Sequence, residues 1–217
     1  MPRYLLLILL IGLPLAFIAW EIFKFSFGIS GTRSAFQKDV KLLADGLNAQ
    51  SLSLWNLSEL DLLSRRGESR TEDDMYALTE TGQLYSIYDE PIVGFAKKKY
   101  KVNDHQIVLI RINQDIFKYL NKGDGNLEVY VNDKKLGSMS ATHSPSKLVS
   151  DDSTVDIDNQ GNRSIYPVSV DGKHVLSINS DDSQTQSRVL TKLEPTSDSE
   201  SKSMLALMIH GLITDHL

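Results

Sequence analysis

The chain ends in SKSMLALMIHGLITDHL, Ser201 to Leu217, and no other stretch limits its possible folds so tightly. Read as a helix, Leu205, Ala206, Leu207, Met208, Ile209, Leu212 and Ile213 leave almost no polar stripe; only His210 and Gly211 interrupt them. A helix that is apolar on every side must be buried in protein or in lipid. Met204 to Thr214 supplies roughly 16 Å of helix, too little to cross a bilayer, so a protein interior has to surround it. A helix laid on one sheet face would keep a polar side, whereas a helix threaded through a closed barrel would not. The threaded arrangement is therefore expected, with the terminal helix at 203–215 and Asp198 or Ser199 as its cap.

The text before it has the period of strands. HQIVLIRIN, His105 to Asn113, places Ile107, Leu109 and Arg111 on one face and Val108, Ile110 and Ile112 on the other. NLEVYVNDKKLGSMS, Asn126 to Ser140, reads as a hairpin turning at Asn132-Asp133-Lys134. Ser153 to Asn179 predicts at least three strands, with turn signals at Asn159 to Asn162 and at Asp171-Gly172. QSLSLWNL (Gln50 to Leu57), LYSIYDEP (Leu84 to Pro91) and RVLTKLEP (Arg188 to Pro195) read as further strands, and TEDDMYA and THSPSKLVSDDS as surface loops. Short strands separated by turn chemistry predict a mainly β domain, a sandwich or a barrel, over residues 49–217; the terminal helix favours an antiparallel β-barrel closed around it over a sandwich with the helix on one face.

Two segments precede this domain. YLLLILLIGLPLAFIAW, Tyr4 to Trp20, has no charged side chain, and Ile22 to Ile29 could extend it, which predicts a transmembrane anchor over residues 1–29. A cleaved signal peptide is the rival reading, although a cut after Ala19 would place Phe17 where a small residue belongs. Residues 30–48 then predict a connector helix, because Phe36, Val40, Leu43 and Leu47 recur at helical spacing and Gly46 and Asn48 close it. Arg3 on one flank against Lys24, Arg33 and Lys38 on the other leans the soluble domain toward the cytoplasmic side without deciding it.

The chemistry-bearing residues are sparse. The chain has no cysteine, which excludes disulfides, zinc thiolates and cysteine nucleophiles. Its net charge of −5 excludes a whole-domain basic field for nucleic acid. The five histidines lie without metal-ligand spacing. DIDNQG, Asp156 to Gly161, begins like a calcium loop but has Pro167 where the bidentate Glu is needed, so it reads as a turn. No catalytic residue, metal site or cofactor is implied. The one candidate binding feature is GFAKKKYKV, where Lys97, Lys98, Lys99 and Lys101 surround Tyr100. Such a cluster beside a membrane anchor can attract anionic phospholipid, at about 1 kcal/mol per lysine. A solvated strand, or a charged sheet edge that resists pairing with another chain, accounts for the same residues.

The order of elements resembles the tubby-like C-terminal domains, the group that includes LURP-one-related proteins and phospholipid scramblases. GNRSIYPVSVDGKHVLSIN is similar to their penultimate hairpin, and RVLTKLEP followed by MLALMIHGLITD to their last strand entering a buried helix, with Asp215 at its end. YALTETGQLYSIYDEP and VYVNDKKLGSMS resemble their earlier hairpins. The resemblance covers about residues 49–217; it lacks the calcium-type loop and palmitoylated cysteine cluster of scramblases. It implies a barrel around a helix and cationic contacts to phosphoinositides on the barrel exterior. The resulting expectation is a non-enzymatic, single-pass, membrane-tethered binding module for lipid head groups or a protein partner. The alternative is an extracytoplasmic accessory subunit that docks protein partners in an envelope assembly.

Overall fold

A computed structural model describes residues 33–55, 57–101, 105–122, 125–140, 147–158, 165–179, 189–192 and 198–214, together with Leu15. The expected membrane anchor at 1–29 and Asp215 therefore lie outside the described residues, apart from Leu15. Among the described residues, no helix is long and apolar enough to cross a membrane. The chain divides into two compact units, Met1–Leu42 and Leu43–Leu217.

The connector helix forms as α1, Arg33–Asn48. Phe36 and Val40 are buried in the first unit, and Leu43 and Leu47 in the second. The helix ends where its spacing signals stop, with Ala49 N–H bonded to Asp45 O at 3.2 Å and Gln50 N–H to Leu47 O at 3.1 Å.

The second unit is a nearly closed antiparallel barrel of twelve strands in simple sequence order. The strands are β1 (Leu63–Asp73), β2 (Ala77–Ser86), β3 (Pro91–Tyr100), β4 (His105–Ile112), β5 (Asp115–Lys122) and β6 (Asn126–Val131). They continue with β7 (Lys134–Ser140), β8 (Lys147–Ser150), β9 (Thr154–Ile157), β10 (Ile165–Val170), β11 (Lys173–Asn179) and β12 (Leu190–Lys192). Two-residue turns join β6 to β7 at Asn132-Asp133 and β10 to β11 at Asp171-Gly172, all at positive φ. Asn, Asp and Gly tolerate that conformation, and its twist matches the strands it connects. Closure runs through Val189, whose N–H donates to Leu63 O at 3.0 Å while its carbonyl accepts from Asn179 N–H at 2.7 Å.

The terminal helix is α2, Asp198–Ile213. It touches β4 as well as β8, β9 and β10, so strands from separate parts of the sheet surround it. Met204 through Ile209 are each at most 1% exposed, and they share one core with Val108, Ile110, Phe117, Val129, Leu148 and Val168. Each Leu, Ile, Val, Met or Phe among them contributes roughly 1.5–3 kcal/mol by leaving water. The helix is thus threaded through the barrel, and its all-round apolar character is explained by contact on every side. It begins at Asp198, five residues before the expected 203.

Some local readings are corrected. Gln50 to Trp55 forms no strand: Leu54 is 86% exposed, and Trp55 takes the buried place in the barrel core. Asn113 holds Trp55 there, accepting from its backbone N–H at 2.7 Å and donating to its carbonyl, while the indole N–H bonds Glu59 O at 3.0 Å. A 3-10 segment, Leu57–Leu62, then leads into β1. The stretch Leu84 to Pro91 is the end of β2, a turn and the start of β3, with Ser86 N–H bonded to Glu90 O. Strand β5 and most of β1 occupy text that carried no strand expectation, while β8 lies within THSPSKLVSDDS and the end of β1 within TEDDMYA, both of which read as surface loops.

Candidate functional site: the lysine-rich end of β3

Strand β3 pairs with β2 on one side and β4 on the other over nearly its whole length. It is an interior strand, so the reading of its lysines as protection of a sheet edge is wrong. The lysines fall on both faces because side chains alternate. Lys97 stands opposite Glu80 on β2 and Val108 on β4. Val108 belongs to the barrel core, so Lys97 and Lys99 follow Val93 and Phe95 on the inward face, at the end of the barrel. Lys98 and Tyr100 follow Ala96 on the outward face.

Their surroundings differ accordingly. Lys97 Nζ lies 2.8 Å from Glu80 Oε2, with both side chains about four-fifths shielded (19% and 22% exposed). Lys98 Nζ lies 5.4 Å from the Tyr100 ring centroid, a cation–π distance. Lys101 bonds the Asp73 carboxylate and, at 2.6 Å, the Asp74 carbonyl. Lys99 is exposed and makes no ion pair among the described residues. The structure therefore brings the lysines to one end of the barrel but does not gather them into one open cationic patch.

Sequence reasoning missed the groups that share this end. The β1–β2 tip places Met75 (75% exposed) and Tyr76 (41% exposed) beside Lys101, whose N–H bonds Tyr76 O at 2.9 Å. Asp74 builds that tip by accepting the backbone N–H groups of Tyr76 and Ala77 at 2.7 and 2.6 Å. These bonds, with help from Lys98 and Lys101, hold its carboxyl below the usual carboxylate range. The only early signal was local: an acidic TEDD run before an apolar pair. The Lys97–Glu80 contact had no local signal, since a cross-strand pair is visible only once the register is known.

Among the described residues no group of three or more His, Asp or Glu is placed to hold a metal ion. His210 is buried on α2 with its ring 4.6 Å from that of Tyr119, centroid to centroid. The Tyr119 hydroxyl donates to Ala206 O at 2.7 Å, inside the barrel. Neither group faces a solvent-accessible site, and both belong to the packing of the helix. No family model, curated protein or solved structure matches the chain.

Proposed function

We propose that the chain is a non-enzymatic binding module of the tubby-like kind, tethered to a membrane by its amino-terminal segment and working through the outside of its barrel. The observation that carries this reading is the filling of the barrel by α2. With Met204 to Ile209 occupying the interior, a ligand has only the outer surface and the barrel ends to bind. An anionic lipid head group would meet the end of the barrel where Lys98 and Lys99 stand near the apolar tip of Met75 and Tyr76. An apolar tip flanked by cations suits the boundary between head groups and acyl chains.

Flotation of Leu43–Leu217 with neutral and anionic vesicles at two salt concentrations tests this. Salt-sensitive binding to anionic vesicles alone is expected. Lys99→Ser should weaken it most, by about fivefold for about 1 kcal/mol, whereas Lys97→Ser should change it least because Glu80 already neutralises that charge. Absence of binding at both salt concentrations would overturn the lipid reading. The docking subunit of an envelope assembly would then be the reading to pursue, with the pairing of Lys97 and Lys101 to acids in its favour. A reporter fused after Leu217 locates the domain relative to the membrane.

A further inference from the structure

Strand β1 pairs with β2 along Gly67–Asp73, but it is the last strand of the sheet on that side. Among the described residues, the closing bond reaches only its first residue, Leu63. Beyond it every residue from Arg66 to Asp73 is exposed. One row of backbone donors and acceptors on this strand points away from β2, and such a row templates the addition of another strand.

The side chains on this edge read Arg66, Glu68, Arg70, Glu72 on one face and Gly67, Ser69, Thr71, Asp73 on the other. The charges are antisymmetric about Ser69. When two copies of β1 pair antiparallel across a two-fold axis at Ser69, Arg66 stands opposite Glu72 of the second copy and Glu68 opposite Arg70. Gly67 stands opposite Thr71, and Ser69 opposite itself. A two-fold axis normal to the sheet keeps each residue on its own face, so the register can slip only in steps that move the axis by one whole residue. The slip to Glu68 sets Glu68 against Glu68 and Arg66 against Arg70. The slip to Arg70 sets Arg70 against Arg70 and Glu68 against Glu72. Opposite charges directly across a ladder stabilise it and like charges destabilise it. The register centred on Ser69 is thereby selected over its neighbours.

The geometry points to a second copy of this chain as the partner of β1, joined edge to edge so that one antiparallel sheet runs through two barrels. This interface is isologous and closes as a dimer. Charged residues on an edge also serve to repel strands, but repulsion needs no antisymmetry, whereas pairing in one register does. The present partners of these side chains are compatible with the exchange. Arg70 lies 3.2 Å from Glu72 with both side chains open to water (81% and 68% exposed), and Glu68 accepts from the Tyr85 hydroxyl at 3.2 Å. Arg66 bonds Asp89. Such exposed pairs are weak and can be shared or replaced. The paired edge is short, so the dimer should form at high protein concentration and weaken with salt.

The absence of cysteine makes the test direct. Ser69→Cys in the full-length chain, held in detergent and oxidised mildly, should give a disulfide-linked dimer, since residues facing each other across the axis have Cβ atoms about 5 Å apart. Thr71→Cys should stay monomeric, its two copies being roughly 14 Å apart along the strands. In the Ser69→Cys background, Arg70→Glu should cut cross-linking at least tenfold, and adding Glu68→Arg should restore it. All these positions are exposed, so melting curves should stay near wild type and keep loss of folding out of the comparison. Equal cross-linking of both cysteines, none at Ser69, or failure of the charge exchange to restore the dimer would each overturn the proposal. Because no vesicle enters the assay, its failure is separable from failure of the lipid reading.

Discussion

Strands β4 and β1 belong to one sheet, yet they meet opposite environments. In β4, Val108 and Ile110 face the barrel core while Ile107 and Leu109 lie on the other face, and all are fully buried. In β1, everything from Arg66 to Asp73 is exposed. The barrel is therefore not uniform around its circumference. One arc is held from both sides, and the seam at β1 is held, among the described residues, by its ladder to β2 and by the closing bond at Val189. Backbone pairing alone does not make a strand stable, because protein–water hydrogen bonds are exchanged for protein–protein ones at a small net gain. What distinguishes the two strands is apolar area removed from water.

The sharpest way to break the buried side is through the helix. Leu207→Asp places a carboxylate at a position with 0% exposure, and no Lys or Arg is among the buried described residues. A buried, unpaired polar group costs several kcal/mol, comparable with the stability of a whole domain. The expected outcome is loss of the cooperative melting transition by circular dichroism. A wild-type melting curve would mean that α2 does not thread the barrel.

A second pair of variants measures the two strands directly. Leu109→Ala on β4 should lower stability by about 2–5 kcal/mol. Thr71→Ala on β1 should change it by no more than about 0.5 kcal/mol. Urea unfolding of both gives the difference, and similar values would erase the contrast between the arc and the seam.

This contrast also explains how far the fold was legible. The strand at β4 was visible because both of its faces are apolar, and the threaded helix because Leu205 to Ile209 leave no polar side. The turns at Asn132-Asp133 and Asp171-Gly172 were visible because positive φ demands particular residues. By contrast, LSRRGESRTED has no apolar alternation, since β1 buries neither face from Arg66 onward. Sequence periodicity reports burial, so a strand without burial leaves no trace of itself. The reverse error occurred at Gln50 to Leu57, where Leu and Ser alternate but the chain is anchored by Trp55 and Asn113. At the candidate site the lysines were legible as composition. Their division between two faces and their pairing with Glu80 and Asp73 followed from register, which is a long-range property.

Arg111 marks the border of the doubly buried arc, and its variant should have a smaller effect. It ends the outward row of Ile107 and Leu109, and its guanidinium donates to the carbonyls of Leu47 and Gln50, each at 2.9 Å, and to that of Asn48 at 3.3 Å. Those carbonyls lie at and just beyond the end of α1, where the helix dipole is negative and intrahelical donors have run out. Gly94 lets this chain approach closely, because a Cβ there would lie 2.3 Å from Gln50 Oε1. Arg111→Met keeps much of the stem but removes the donors, and should cost about 1–3 kcal/mol. Hydrogen exchange should show the loss as faster exchange in the last turn of α1, with α2 unchanged.

The smallest effect expected at neutral pH is also the one that reports most specifically on the interior. Tyr119 is fully buried, and desolvation alone raises its hydroxyl well above its usual 10.0. In the unfolded chain the hydroxyl ionises at its ordinary value. As pH rises above about 10, the folded state retains a proton that the unfolded state gives up, so stability falls with pH through this group. Below that range its contribution is constant. Tyr119→Phe removes both the titration and the bond to Ala206 O, at a cost of about 1 kcal/mol at neutral pH. Its urea midpoint should therefore start slightly below wild type at pH 7 and decline less steeply between pH 10 and 11.5. Parallel declines would mean that the hydroxyl already reaches water, and would move Tyr119 from the sealed arc of the barrel to an open one.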